Sequence, residues 1–251
     1  MDDLQGKVVL VTGASTGIGA ACARALGAVG CRVAVHYHTS KTAALAVAAA
    51  VEQSGGEALV VQGDLHLAAD CERVVAETAA RFSRIDVLIN NAGALVQRVP
   101  IADLSDEMFD DIIGLNIRSM MMCTKYAIAH MTGGGSIINV TSVAARNGGG
   151  PGASLYAGSK GFVSTATKGL AKELVGRGIR VNAVAPGVII TPFHDKFSTP
   201  AQLETMRLTI PMGRLGTVDE CVGAFLYLAS EKLASYVTGQ IIEVNGGQYM
   251  P

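Results

Sequence analysis

Lys7-Val8-Val9-Leu10-Val11-Thr12-Gly13-Ala14-Ser15-Thr16-Gly17-Ile18-Gly19 starts as a short apolar run, passes through three glycines and continues into an Ala-rich stretch from Ala20 to Ala28. The order is strand, glycine turn, helix. Glycine lets a backbone turn tightly and approach a ligand with no Cβ in the way, and a helix N-terminus attracts a pyrophosphate. An ordinary strand-to-helix turn needs none of this. Three glycines at such a junction within the first twenty residues favour a nucleotide-binding βαβ unit.

Outward from that unit, strands are predicted at Lys7–Val11, Arg32–His36, Ala58–Gln62, Val87–Asn90, Ser136–Thr141, Arg180–Val184 and Ile241–Val244, separated by stretches of helical composition. The strands read as continuous apolar runs, as expected of a parallel sheet covered on both faces. The predicted fold is therefore α/β: a doubly wound, Rossmann-type parallel sheet of about seven strands in a single domain spanning 1–251. Ligands in such folds bind beyond the carboxyl ends of the strands. The residues there are Gly13 to Gly19, Tyr37 to Lys41, Asp64 and Leu65, Asn90 to Gly93, Ser142, and Pro186 to Thr191, a polar and glycine-rich set.

Composition excludes several classes. With a net charge of −1 and 5% aromatic residues, neither a nucleic-acid patch nor a base-stacking platform is indicated. Met1-Asp2-Asp3 is acidic where a signal peptide is basic, and the longest apolar run, Ala43 to Val51, is too short for a bilayer, so a soluble cytoplasmic protein with no membrane partner is expected. Five scattered cysteines (Cys22, Cys31, Cys71, Cys123 and Cys221) contain no Cys-x-x-Cys and read as buried reduced thiols. His36 and His130 lack ligand-spaced partners, and no metal is expected. Met120-Met121-Met122 reads as core or subunit interface.

Tyr156 and Lys160 lie four residues apart, which on a helix places a phenol and an ammonium on one face. A general acid works best with a pKa near the operating pH, and a neighbouring cation moves tyrosine in that direction. The pair alone is common on surface helices.

In combination, Thr12-Gly13-x-x-x-Gly17-x-Gly19, Asn90-Asn91-Ala92-Gly93, Asn116, Ser142, Tyr156-x-x-x-Lys160 and Pro186-Gly187 resemble the single-domain short-chain dehydrogenase/reductase family, from Lys7 to Val244-Asn245-Gly246-Gly247. The resemblance implies hydride transfer between NAD(P)(H) and a carbonyl or secondary alcohol. Such a reduction needs a proton donor at the carbonyl oxygen, and Tyr156 supplies it. Ser142, at a strand end, donates a second bond to that oxygen. The family likeness implies that Lys160 also holds the nicotinamide ribose and that Asn116 holds a water linking Lys160 to solvent. On sequence alone, Asn116 is equally a helix-interior asparagine, and a strand-end serine such as Ser142 often satisfies local backbone groups.

For the cofactor, Gly13, Ser15, Thr16, Gly17, Ile18 and Gly19 form the expected phosphate turn. Asp64 and Leu65 with Asn91, Ala92 and Gly93 line the adenosine side, Asp64 accepting from the adenine amino group. Pro186, Gly187, Ile189 and Thr191 border the nicotinamide, Thr191 bonding its carboxamide. An NAD-selecting fold usually places an acid about 20 residues beyond the glycine turn. That place is Tyr37, and no Asp or Glu occurs between Cys31 and Val51. His38, Ser40 and Lys41 cluster there instead, which favours NADP(H), with NAD(H) the alternative; Thr16 stands where many NADP-preferring relatives carry a basic residue.

Ser142 and Tyr156 are fourteen residues apart, one more than the family's commonest spacing, and the glycine-rich insert Arg146 to Gly152 is expected to wall the substrate pocket. Residues 191–213, including His194, resemble the family's substrate lid. Relatives dimerise through segments like Asp106–Met131 and Tyr156–Val175, so a homotetramer is expected. The favoured function is an NADPH-dependent ketone or 3-oxoacyl reductase; the Asn245-Gly246-Gly247-Gln248-Tyr249-Met250 ending resembles 3-oxoacyl-carrier-protein reductases. Docking of an acidic carrier has little support, because His130 to Gly135 lacks basic residues and only Arg177 remains nearby. The alternatives are a sugar or polyol dehydrogenase, suggested by Arg146, Asn147 and His194, and a catalytically silent dinucleotide-binding regulator.

Overall fold

The first strand lies inside the sheet. In a computed structural model that describes residues 1–251, with the side chains of all but Asp195 and Lys196, β1 (Val8–Val11) is buried on both faces. The glycine turn then delivers the chain to α1 (Gly17–Ala28). The alternation continues through β2 (Arg32–Tyr37), α2 (Lys41–Gln53), β3 (Glu57–Gln62), α3 (Ala68–Phe82) and β4 (Val87–Asn90). In the second half, α4 (Asp106–Ile113) and α5 (Ser119–Ala127) precede β5 (Gly135–Val140), followed by α6 (Ala144–Asn147), α7 (Ser154–Leu174) and β6 (Ile179–Pro186). Two short helices, α8 (Pro192–Phe197) and α9 (Pro200–Arg207), come before α10 (Val218–Ala229), α11 (Glu231–Ala234) and β7 (Ile241–Val244).

All seven strands are parallel, in the order β3-β2-β1-β4-β5-β6-β7. The chain reverses its winding between β1 and β4, so a crevice opens beyond their carboxyl ends. One apolar layer joins α1, α2 and α10 to the sheet through residues such as Leu26, Val47 and Phe225; the other joins α3, α5 and α7 through Val75, Cys123 and Leu174. Burial of both faces explains why the strands lack polar alternation. Each predicted strand is present within one or two residues of its reading, β6 being the most extended because its last residue, Pro186, still accepts a hydrogen bond from Val143 N–H. All five cysteines are buried and unbridged. Among the described residues no helix is long and apolar enough to cross a membrane.

The stretch after Asp106 is not one regular helix. Between α4 and α5, residues Gly114–Arg118 form a π-turn, the kind of local widening that recurs at functional sites. Asn116 lies in it.

Candidate active site

Beyond the carboxyl ends of the central strands lies a cleft of about 590 Å³. Its floor is the glycine turn, where Gly13 and Gly17 have φ of +62° and +58°, values that only glycine adopts freely. Gly19 is fixed by space instead: an added Cβ would stand 2.5 Å from both Gly13 O and Asn91 Nδ2. The Asn91 amide donates to the carbonyls of Thr12 (2.9 Å) and Gly13 (3.0 Å), while the Thr12 hydroxyl accepts from Asn91 N–H and Ala92 N–H, both at 3.0 Å. The end of β4 is thereby tied to the turn.

His36 completes this floor, a role the sequence did not reveal. Its Nδ1 accepts from Gly13 N–H at 2.9 Å, so its Nε2 carries the proton and donates to Gly63 O at 3.1 Å. Burial lowers its pKa to about 4, and the ring is a neutral two-ended brace.

On the opposite wall, α7 carries Tyr156 and Lys160 on one face, as the spacing predicts. Burial pushes the Tyr156 phenol up to about 12, and the nearby Ser142 hydroxyl opposes that rise. In the unliganded site burial outweighs any acidification by Lys160, whose ammonium lies 5.9 Å from the ring centroid and donates to Val140 O at 2.9 Å. Desolvation lowers Lys160 to about 8. Both groups are thus moved toward neutrality by one cause.

Gly93 packs between Lys160 and Asn116; a Cβ there would lie 2.7 Å from Asn116 Oδ1 and 2.9 Å from Lys160 Nζ. The Asn116 amide donates to Ala94 O (2.8 Å) and Ile112 O (2.9 Å), whereas its buried Oδ1 has no protein partner. The π-turn therefore leaves a buried polar oxygen beside Gly93, the residue that the Lys160 ammonium also approaches.

Most predicted contact residues face this cleft: Gly13, Ser15, Thr16, Gly17, Ile18, His38, Ser40, Asp64, Leu65, Asn91, Ala92, Gly93, Pro186, Gly187, Ile189 and Thr191 line it with Ser142, Tyr156 and Lys160. Gly19, Lys41 and Asn116 do not; Gly19 and Asn116 act from behind, and Lys41 is exposed as the first residue of α2. The Asp64 carboxylate is engaged by His66, through its N–H at 3.1 Å and its Nδ1 at 2.7 Å, and is 3.9 Å from His38 Nε2. The Thr191 hydroxyl donates to Ile189 O at 3.2 Å.

The polar lining that suggested a sugar substrate is only partly present. Arg146 points out of the cleft, paired with Glu243 at 3.0 Å and stacked 5.5 Å from the Tyr249 ring centroid, because a buried carboxylate and an aromatic face outcompete the open loop. Asn147 and His194 do line it. Arg177, the remaining candidate for a carrier contact, donates to Ile128 O at 2.6 Å. Over the cleft, Phe193 on α8 stands 5.9 Å from the Tyr156 ring centroid and 5.0 Å from that of Phe197. Arg98, not singled out in the sequence, lines the same end.

The floor fits a dinucleotide. Two left-handed glycines and the Gly19 contact keep Cβ atoms out of a concavity at the N-terminus of α1, where phosphate oxygens are favoured.

A sequence model of the family described as enoyl-(acyl carrier protein) reductase matches residues 13–248. The chain is 41% identical to the 3-oxoacyl-[acyl-carrier-protein] reductase of Synechocystis sp. over the full length of both proteins. It is 38% identical to the enzyme of the same description from Staphylococcus aureus, covering 97% of this chain and 98% of the relative. Among solved structures, the NADH-dependent reductase A1-R′ responsible for alginate metabolism superposes with a TM-score of 0.92 at 38% identity over 100% of both chains. The same reductase complexed with NAD gives 0.89 at 36% identity over 100% of this chain and 99% of that one.

Proposed function

The chain belongs to the short-chain dehydrogenase/reductase family of NAD(P)-dependent oxidoreductases, and from that premise we propose that it is an NADPH-dependent reductase of a ketone or 3-oxoacyl substrate. The observation that carries this reading is that Tyr156, Ser142 and Lys160 line one wall of a cleft floored by a dinucleotide turn. Two hydroxyls lining one cleft are suited to a single carbonyl oxygen. Bound on the glycine turn, the cofactor supplies the hydride.

The protein's own residues supply the rest. Ser142 and Tyr156 donate to the substrate oxygen and stabilise the negative charge that grows there as the carbon is reduced. Tyr156 gives up its proton to that oxygen, completing the alcohol. A phenol held protonated by burial remains a donor at neutral pH. Lys160, charged below about pH 8, stabilises the phenolate left behind and holds the ribose. The orphaned Asn116 Oδ1, next to Lys160 and Gly93, holds a water through which the proton is restored from solvent.

The preference for NADPH rests on the end of β2. Among the described residues Asp64 is the sole carboxylate in the cleft lining, and it is occupied by His66. His38 and Ser40 face the cleft where α2 begins, and the Ser40 side chain leaves the first-turn N–H groups uncapped, an arrangement favourable to a 2′-phosphate. Lys41 contributes long-range charge only. Residues 191–213 act as a substrate lid, supported by the Phe193 contact over Tyr156. A cytoplasmic homotetramer is the assembly we infer from family membership. The test is NADPH consumption with a panel of ketones, acetoacetyl-CoA and sugars: Tyr156-dependent turnover of a carbonyl is expected, and activity confined to polyol oxidation with NAD defeats the proposal.

A further inference from the structure

Arg98 sits where the glycine-rich insert meets the lid. The loop after β4 bends through Val96, whose φ of +62° is a conformation β-branched residues rarely adopt, and then pairs Val99 N–H with Gly152 O at 3.0 Å. This brings Arg98 between two segments far away in sequence: its Nε donates to Phe197 O at 2.8 Å and its Nη1 to Pro151 O at 3.1 Å.

These bonds use two of the five guanidinium N–H groups, leaving three, all at the Nη1–Nη2 end of the fork. Both acceptors are neutral carbonyls. Among the described residues no carboxylate forms an ion pair with Arg98, and the one carboxylate in the cleft lining, Asp64, is at the far end beside His38 and His66. The other cation facing the cleft from α7, Lys160, also has a carbonyl rather than an acid as its partner. Among the described residues the substrate end therefore carries positive charge with no countercharge, in a lining shared with the apolar Phe193, Val188 and Met206. A cation so placed favours an anion that enters with the ligand, and a guanidinium fork pairs two-to-two with an oxyanion where an ammonium acts as a point charge.

We propose that Arg98 is a specificity-determining residue that binds an oxyanion of the substrate, most simply the carboxylate of an oxo acid whose carbonyl is presented to Tyr156 and Ser142. The inference rests on the carbonyl-reductase reading and narrows its substrates to acids. Phosphate on a thioester carrier offers the same chemistry, and the two sources are separable by experiment.

The test is a titration of the protein with NADPH bound, using 2-, 3-, 4- and 5-oxo acids, each against its methyl ester, and acetoacetyl-CoA against acetoacetyl-N-acetylcysteamine. NADPH consumption is followed in parallel. For the wild type, at least one charged ligand binds about tenfold or more tightly than its neutral counterpart, the range of a hydrogen bond to a charged group. In Arg98→Met this ratio falls to about one, and in Arg98→Lys it takes an intermediate value because charge is kept and the fork is lost. An oxo-acid preference identifies the carboxylate; a preference for the CoA thioester alone identifies phosphate. Equal binding of charged and neutral partners in every wild-type pair overturns the inference, as does an Arg98→Met variant that weakens both partners alike, the mark of a purely structural clasp. A charge preference that persists while no carbonyl is reduced rejects the reductase reading and leaves the Arg98 site standing.

Discussion

Replacing Lys160 with Met should make the unliganded protein more stable at neutral pH while removing its activity. Lys160 is 4% exposed, and burial lowers its pKa from 10.5 to about 8. At about 1.4 kcal/mol per pKa unit, keeping the ammonium charged at about pH 7 costs roughly 3 kcal/mol. The substitution also orphans the Val140 carbonyl, now bonded at 2.9 Å, which returns about 1–3 kcal/mol of that gain. The net effect is about 1 kcal/mol of stabilisation, or a rise of roughly 2–4 °C in Tm for a chain of this size. The pH dependence is firmer, because the carbonyl cancels from it. The folded pKa lies below the unfolded one, so between about 8 and 10.5 the unfolded chain holds the extra proton. Wild-type stability therefore rises with pH across that window, and the penalty is fully present only below about 8. The advantage of Lys160→Met should shrink by about 2–3 kcal/mol between about pH 7 and pH 10 and can change sign. Urea denaturation of both proteins at the two pH values measures this. A difference that does not change with pH would falsify the claim that Lys160 is held charged against a desolvation cost.

Other outcomes follow from the same geometry. Tyr156→Phe removes only the hydroxyl, so turnover should fall by about 100-fold or more while cofactor binding persists; near-normal turnover eliminates Tyr156 as the proton donor. NADPH should bind about tenfold more tightly than NADH in a fluorescence titration, and His38→Ala should narrow the gap; an equal or reversed wild-type preference defeats the reading of His38 and Ser40. Gly19→Ala places a methyl 2.5 Å from Gly13 O and Asn91 Nδ2, so it should cost about 1–3 kcal/mol by thermal denaturation and weaken binding of either cofactor. Unchanged cofactor affinity there shows that the turn does not hold the phosphates.

Sheet and turn were legible because their causes are local. Apolar runs long enough to be buried on both faces, and glycines at fixed offsets, leave little choice of fold. The π-turn at Gly114–Arg118 was not legible, since one extra backbone residue per turn hardly disturbs an apolar pattern. His36 and Arg98 were missed for another reason. Their partners are backbone atoms of Gly13, Gly63, Pro151 and Phe197, and a backbone partner leaves no residue type to recognise. Arg146 was misplaced because its acceptor, Glu243, lies 97 residues away on the last strand.

Tyr156 and Lys160 show how spacing can fix position without fixing environment. The i,i+4 relation requires a shared face, and α7 provides it. Whether the ammonium acidifies the phenol depends on two opposed quantities, attraction between unlike charges and the cost of taking each charge out of water. In a buried site the second dominates: Tyr156 rises to about 12 and Lys160 falls to about 8. In the unliganded protein this order leaves the phenol protonated at neutral pH. A neutral phenol beside Ser142 is already the donor that a nascent alkoxide needs, whereas alcohol oxidation needs the phenolate, the form that burial makes scarce at neutral pH. The resting protonation of the pair is thus set by desolvation across the whole wall of the cleft, and no single residue pair in the sequence carries that information.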